Sequence, residues 1–424
     1  MVPKGWTIGS LSDLADTVMG YAFKSTDFTP NGIPLLRMGN LYQNTLDFER
    51  SPVFLPATYK DEYKRFVVKP GDLVMSMTGT MGKRDYGFTV EIPKSAPESL
   101  LNQRVMKFVP KDKTSTGFLL SLLRSEIILS RLYSFPGGTK QANLSAKQVQ
   151  DLPAPIPPYP EQKKIAQILS TWDKAITTTE QLLANSQQQK KALMQQLLTG
   201  KKRLLDKNGV RFSGEWRVSK LSKLFERVTT KNNGQSTNVV TISGQHGLIR
   251  QEEFFKKAVA SETLDGYFLL RQGQFAYNKS YSNGYPMGAI KRLNRYPDGV
   301  VTTLYICFEL SDSGRADSDF WEHYFESGLL NKGLSQIAHE GGRAHGLLNV
   351  KPSDFFSLKV STPSFEEQKK IAAVLSTADQ EISALQQKLD ALKQEKKALM
   401  QQLLTGKRRV QLNEHNSKVI TYGN

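Results

Sequence analysis

The stretch Thr78-Gly79-Thr80-Met81-Gly82-Lys83-Arg84 sets two glycines and a lysine much as a phosphate-cradling loop would. Such a loop also needs a Gly at its first position and a Mg-binding Ser or Thr after the Lys. Met77 and Arg84 stand there instead, so the segment reads as a Gly-rich turn leaving a strand. Glu62-Tyr63-Lys64 and Glu161-Gln162-Lys163 have the Glu-x-Lys spacing of metal-dependent nucleases, but that tripeptide is common. Glu161 fits better as a carboxylate at a helix N-terminus, where the backbone dipole favours negative charge. His246, His323, His339, His345 and His415 show no metal-ligand spacing. There is no Gly-x-Ser-x-Gly elbow, no cofactor-binding Gly fingerprint after a strand and no Asn-Pro-Pro-Tyr-like methyltransferase motif. The chain by itself is therefore expected to be non-catalytic, with no metal or cofactor of its own.

What remains is binding chemistry. Lys plus Arg number 57 against 40 Asp plus Glu, a formal charge of +17 that makes a polyanion the first partner to consider. The excess is spread: residues 1 to 150 carry +6, 161 to 203 +5, 211 to 355 +3 and 366 to 409 +3. With 39% hydrophobic and 9% aromatic residues, the composition excludes a disordered basic tail, and 424 residues suffice for two or three domains. The single Cys307 lies in the apolar run Val300 to Phe308 and supports neither a disulfide framework nor a Cys-based metal site. No signal-peptide h-region and no 18-residue apolar stretch occur, so a soluble, cytoplasmic protein without a membrane partner is expected.

An internal repeat organises the elements that must carry any binding surface. Glu161-Gln162-Lys163-Lys164-Ile165-Ala166 returns as Glu367-Gln368-Lys369-Lys370-Ile371-Ala372, and Lys190 to Lys201 returns in full at Lys396 to Lys407. Over residues 161 to 203 against 367 to 409, 27 of 43 positions are identical without a gap, which marks a tandem duplication. The preceding segments echo only faintly, in Trp6 and Trp216 and in Gly137-Gly138 and Gly341-Gly342. The plan is module, helix, module, helix, with linkers at the Pro-rich run Leu152 to Pro160 and near Lys201 to Val210.

In the first block Ile165, Leu169, Trp172, Ile176, Thr179, Leu183, Ser186, Lys190, Leu193 and Leu197 alternate at spacings of four and three, the seam of a coiled coil. The second keeps register with Ile371, Leu375, Ala378, Ile382, Leu385, Leu389, Leu392, Lys396, Leu399 and Leu403. Pro160 before Glu161, Ser364 and Glu367 at capping-box spacing, and Gly200 and Gly406 as stops mark the ends. About 39 residues at ~1.5 Å each make a rod of roughly 58 Å. The two helices can pair within one chain or each with a second copy; repeat symmetry favours an antiparallel pair within the chain, with a globular module at each end. That pairing sets Lys190 near Ala378 and Lys396 near Trp172, either to fix register or to lay their stems on apolar surface. Both modules read as α+β: strands at 33 to 40, 69 to 78 and 104 to 109 with a helix over Thr116 to Tyr133, then strands near 239 to 242, 274 to 278 and 300 to 310 with a helix near 319 to 327.

The Pro-rich linker, Glu-Gln-x-x-Ile-Ala-x-x-Leu-Ser and Leu-x-x-Gln-Leu-Leu-Thr-Gly-Lys, all but the linker present twice, resemble the two conserved helices of type I restriction-modification specificity subunits. Gly71-Asp72-Leu73-Val74 with Gly79 to Lys83, and Gly138 to Ser145, resemble that family's first-module patterns. Tyr277-Asn278-Lys279-Ser280-Tyr281 with Tyr285-Pro286-Met287-Gly288 resembles a common second-module pattern. The resemblance covers the whole chain. It implies two target recognition domains, at 1–152 and 206–358, with conserved helical segments at 153–205 and 359–409 and a tail at 410–424. It further implies double-stranded DNA as ligand, two copies of a methyltransferase subunit and restriction/translocase subunits as partners. S-adenosylmethionine, ATP and Mg would belong to those partners. The near-identical helices suit one partner bound twice, and the divergent modules suit two different half-sites, so a bipartite asymmetric DNA site is expected.

Base reading needs forked donors and amides, and phosphate anchoring needs Lys, Arg and hydroxyls on exposed loops. The candidates are Thr78, Thr80, Lys83, Arg84, Thr139, Lys140 and Gln141 in the first module, and Lys279, Tyr281, Ser282, Asn283, Tyr285, Arg343 and His345 in the second. Against this stand two other readings. A free-standing bivalent DNA-binding protein would need no methyltransferase, and a purely structural coiled-coil adaptor would leave the basic loops without a purpose.

Overall fold

A computed structural model describes residues 2–135, 141–255, 263–340 and 348–412. The chain divides into two compact units, one made of residues 1–180 with 388–424 and the other of residues 181–387. Both mix helices and sheets, so the α+β class holds. Two long helices, Tyr159–Leu197 and Phe365–Leu404, each contribute one half to each unit.

In the first unit an antiparallel sheet orders Thr89–Glu91, Leu73–Ser76, Val105–Pro110 and Ala15–Met19. A second sheet orders Phe54–Leu55, Ile33–Leu36, Ser99–Leu101 and Val67–Val68, with the central pair parallel. The Thr116–Leu123 helix buries Phe118, Leu119, Leu122 and Leu123 in a core that also takes Trp6, Phe108, Ile165, Leu169 and Leu403. The single helix expected over Thr116 to Tyr133 is two, Thr116–Leu123 and Glu126–Leu132. Ser125 between them is extended and its hydroxyl donates back to the Leu122 carbonyl at 2.6 Å, a local bond that competes with helix continuation.

The second unit holds an antiparallel sheet in the order Phe225–Val228, Ile306–Leu310, Phe275–Asn278, Ala289–Arg292. Its core is aromatic: Phe225, Phe275, Phe308, Trp321 and Phe325 meet at ring-centroid distances of 5.1 to 6.1 Å, largely edge to face. The Ser318–Glu326 helix starts at Asp317, whose carboxylate accepts from the Phe320 amide at 2.8 Å. The run read as one strand from Val300 to Leu310 is two. Asp298–Val301 pairs with Phe268–Arg271, a turn closes through the Tyr305 amide on the Thr302 carbonyl, and Ile306–Leu310 enters the larger sheet. The turn falls at Thr302-Thr303, β-branched residues that suit a strand as well, so the sequence does not announce the break.

The long helices bury the expected stripe in both units. In the first, Ile165, Leu169, Leu389 and Leu403 are buried and Trp172, Ile176, Leu392 and Leu399 half-buried; in the second, Leu183, Leu197, Ile371 and Leu375 are buried and Leu193, Ile382 and Leu385 half-buried. The segments run antiparallel within each unit. Lys396 meets Asp173 at 2.5 Å and Lys393 meets Glu180 at 2.8 Å in the first, while in the second Lys190 meets Asp379 at 2.5 Å and Ser186 donates to Glu381 at 2.9 Å. The two seam lysines thus end on carboxylates one residue beyond Trp172 and Ala378 instead of reaching past apolar surface into water.

The ends are closed by a repeated contact. Gly200 and Gly406 follow the helices with φ of +70° and +72°, the left-handed geometry that stops a helix. Beyond Gly406, Arg409 donates to both oxygens of Glu161 at 2.9 and 2.5 Å; beyond Gly200, Arg203 donates to both oxygens of Glu367 at 2.6 and 2.7 Å. The carboxylate side chains are only 5% and 1% exposed. Glu367 is therefore the acceptor of an ion pair, not the capping-box carboxylate that its spacing from Ser364 suggests. Trp6 packs beside Gly406 and its indole N–H donates to Glu161 at 3.1 Å; Trp216 packs against Gly200, and its buried indole nitrogen has no hydrogen-bond partner among the described residues. Gln162 and Gln368 repeat a second contact, each accepting from a backbone amide of its own unit, Ser115 and Asp317, at 3.0 Å.

Candidate nucleic-acid interface

In the first unit the short strand Thr78–Thr80 pairs with Gln141–Asn143, which sets Thr80 opposite Gln141. The chain then turns through Gly82, at φ +76°. The turn is clasped by Asp85, whose carboxylate accepts from the Thr80 amide at 2.7 Å. Burial works against that charge, but the hydrogen bonds from Thr80 outweigh it and hold the carboxyl below the usual range. Thr80, Lys83, Arg84 and Gln141 are all exposed, but their commitments differ. Arg84 donates to both oxygens of Glu126, at 2.9 and 3.1 Å, and lies 5.0 Å from the Tyr133 ring centre. The side chains of Lys83 and Gln141 have no hydrogen-bond or salt-bridge partner among the described residues, and Lys83 acts on Asp85 only through its charge, which leaves one cation and one amide for a ligand. Thr78 does not join them. It is 2% exposed with its hydroxyl on Met38 Sδ, because the first residue of this strand faces the core. Thr139 and Lys140 lie outside the described residues.

In the second unit the segment from Lys279 to Gly288 projects between the strands Phe275–Asn278 and Ala289–Arg292. Tyr281, Ser282, Asn283 and Gly284 are exposed and Tyr281 has 63% of its surface in water. Lys279 is half-buried, and burial lowers its pKa. Tyr285 faces inward. Its single hydroxyl proton is shared between the Gly244 carbonyl at 2.8 Å and Glu326 Oε1 at 2.6 Å, and the oxygen accepts from Lys291 Nζ at 2.8 Å. A phenol engaged on three sides offers nothing to an outside partner, so Tyr285 departs from the expected surface role. Arg343 and His345 lie outside the described residues.

Sequence reasoning passed over Glu326, Lys291 and Gly244. The first two are widely separated charges whose meeting no spacing announces, and Gly244 shows only as a turn residue in Ser243-Gly244-Gln245-His246-Gly247. The hairpin turn that starts at Gly244 also exposes Gln245 and His246. A polar cleft of about 620 Å³ lies beneath, lined by Lys190, His246, Lys291, Arg292, His323 and Asp379 among others. His323 is 7% exposed and its Nε2 sits 3.1 Å from Ser376 Oγ. Burial, with Lys190 nearby, lowers its pKa. No group of three or more His, Cys, Asp or Glu able to hold a metal ion occurs among the described residues, and no described helix is long and apolar enough to cross a membrane.

Exposed amides, hydroxyls and cations on braced turns are the equipment of a surface that contacts nucleic acid. Among known proteins, residues 3–185 match the type I restriction modification DNA specificity domain. The chain is 30% identical to the MjaVIII specificity subunit of Methanocaldococcus jannaschii over 210 residues, 49% of this chain and 48% of that one. It is 23% identical to that organism's putative MjaX specificity subunit over 430 residues, 97% of this chain and 95% of that one. The MjaVIII alignment spans about half of that relative's length. The S subunit of the type I restriction-modification system of M. genitalium shares the fold at a TM-score of 0.57 and 15% identity, over 95% of this chain and 96% of that one. So does a chain solved in work on assembly and conformational transition of the type I system, at a TM-score of 0.55 and 15% identity, over 96% of this chain and all of that one. The chain is thus similar, most clearly over residues 3–185, to the type I restriction-modification specificity subunits.

Proposed function

We propose that this chain gives a type I methylation and restriction complex its DNA address. Each unit carries one target recognition domain, 1–152 and 206–358, and each reads one half of a bipartite, asymmetric duplex site. The helical segments 153–205 and 359–409 form an antiparallel coiled coil that relates the two by a pseudo-twofold and sets the spacer. Two methyltransferase subunits and the restriction/translocase subunits dock on this frame and bring S-adenosylmethionine, ATP and Mg with them, while this chain performs no chemistry.

The observation that carries the reading is the repeated closure. Arg409 on Glu161 and Arg203 on Glu367 are equivalent contacts, as are Lys396 on Asp173 and Lys190 on Asp379. The turns that expose Lys83 and Gln141 in one unit and Tyr281, Ser282 and Asn283 in the other present different side chains. Equivalent frames suit a partner bound twice, and different turns suit two different sequences. The test is to co-express the chain with its methyltransferase subunit and map N6-methyladenine across the host genome. A two-part motif with a fixed unread gap is expected. A single uninterrupted motif, or failure of the two proteins to purify together, would overturn the proposal.

A further inference from the structure

The Lys279 to Gly288 turn is built to hold still. On one flank the Tyr277 hydroxyl donates to the Met287 carbonyl at 2.7 Å. Gly288, at φ +78°, lets the chain pass so close that an added Cβ would stand 2.3 Å from the Asn278 carbonyl oxygen. On the other flank Tyr285 is gripped by Gly244, Glu326 and Lys291, and Lys291 also pairs with Glu326 and lies 4.8 Å from the tyrosine ring centre. Gly244 is required there, since a Cβ would come within 2.7 Å of that ring. Between the flanks Ser282 and Tyr285 exchange backbone hydrogen bonds at 3.3 and 2.9 Å. The apex nevertheless offers water an aromatic ring, a hydroxyl and an amide, and the side chains of Tyr281, Ser282 and Asn283 have no hydrogen-bond partner among the described residues. Fixing a short loop at both ends while leaving its tip unpartnered does nothing for the core. It is what pre-organised recognition requires, because the ordering is complete before the ligand arrives.

We infer that Tyr285, Glu326 and Lys291 are positioning residues for one half of the DNA site: a polar latch that sets the Tyr281 to Gly284 apex for base reading without touching DNA. The inference rests on the proposed DNA-reading role of the second unit. Tyr285→Phe deletes the latch hydroxyl and keeps the ring, and Asn283→Ala with Tyr281→Ala deletes the reading groups. The full-length chain is mixed with duplexes carrying randomised bases at fixed salt, bound duplexes are sequenced, and single-base competitors measure discrimination at each position.

Tyr285→Phe is expected to lose discrimination roughly tenfold or more, the scale of one hydrogen bond to a charged group. The loss should fall only on the half-site that the apex variants affect. The other half-site and the salt slope of binding stay as they were, since no phosphate contact is removed. Adding Asn283→Ala to Tyr285→Phe should cost little more than either alone, because both act through one element. Amide exchange at Ser282 and Tyr285 should quicken in Tyr285→Phe while the Phe275–Asn278 strand stays protected, which separates release of the turn from unfolding. Unchanged discrimination in Tyr285→Phe, with a loss in the apex variants, overturns the latch and spares the reading of the turn. Unchanged discrimination in the apex variants overturns the DNA-reading role itself. A Tyr285→Phe loss at both half-sites also overturns the latch, since it marks a general packing defect.

Discussion

Replacing Arg203 by Met tests how each unit is sealed. The Glu367 carboxylate is 1% exposed and both its oxygens take hydrogen bonds from Arg203, so the substitution strands a buried anion. Breaking a buried pair from one side costs about 3–5 kcal/mol, most of it from the charge left behind. At roughly 2–4 °C per kcal/mol for a unit of this size, melting of the second unit should fall by about 10 °C. The corresponding Arg409→Met should cost less, about 1.5–3 kcal/mol. Glu161 keeps the Trp6 indole as a donor, whereas among the described residues the Trp216 indole nitrogen has no partner and Glu367 takes no bond from it. Adding Glu367→Met to Arg203→Met should recover much of the loss, because two apolar groups leave no orphaned charge. The assay is urea and thermal unfolding of the full chain, with amide exchange assigning each transition to its unit. The reasoning fails if Arg203→Met costs no more than Arg409→Met, or if the double variant is weaker than Arg203→Met alone.

Leu183→Pro breaks a long helix in its interior at a cost of about 3 kcal/mol or more, and gel filtration should show the assembly with methyltransferase lost while both globular parts stay protease-resistant. Lys83→Ala should weaken binding to all duplexes alike and lower the salt slope by about 1, whereas Gln141→Ala should cost about 1–3 kcal/mol at one base pair only; equal effects across all sequences for both would show that Gln141 reads nothing. Burial, against the pull of Asp379, lowers the His323 pKa, so the unfolded chain binds the extra proton first. Stability of the second unit should therefore fall as pH drops below about 6.5, and His323→Gln should remove that slope in unfolding measured between pH 7.5 and 5. Exchanging residues 211–355 for another family member's module should alter one half of the methylated motif; a change in both halves would count against independent reading.

The helical frame was readable because its signal is periodic and doubled: seam positions from Ile165 to Leu197 and from Ile371 to Leu403 repeat at spacings that only a helix satisfies, and Gly200 and Gly406 mark the stops. What the spacing could not say is which charges meet. Arg409 and Glu161 are 248 residues apart, and Glu367 reads as a capping-box member until Arg203 occupies it. The site was legible only as turns rich in Thr, Lys, Asn and Tyr. Residue type places such groups on a surface by default, so it cannot separate Lys83, which is exposed, from Thr78, whose strand position turns it inward, or Tyr281 from Tyr285. That separation depends on Met38, Glu126 and Glu326, long-range partners no local pattern encodes. The Val300 to Leu310 run failed for the opposite reason: Thr302 and Thr303, where the turn falls, are as compatible with a strand as the apolar residues around them.

The first unit draws its residues from both sides of the second. On a ribosome this imposes an order of events. Residues 1–180 emerge with Trp6, Glu161 and the apolar seam from Ile165 onward already made, yet the Arg409 that neutralises Glu161 and the Leu399 and Leu403 that share the seam lie some 230 residues further along. At about 5–20 residues per second the wait is roughly 10 to 50 s. During that time an unneutralised carboxylate and an open hydrophobic stripe face the cell. The second unit, built from one continuous stretch, can close as soon as it is synthesised. The early module is thus the one exposed to chaperones, to proteases and to the helix of a neighbouring nascent chain, and slowing translation between residues 180 and 388 should lower the yield of the first unit before it touches the second.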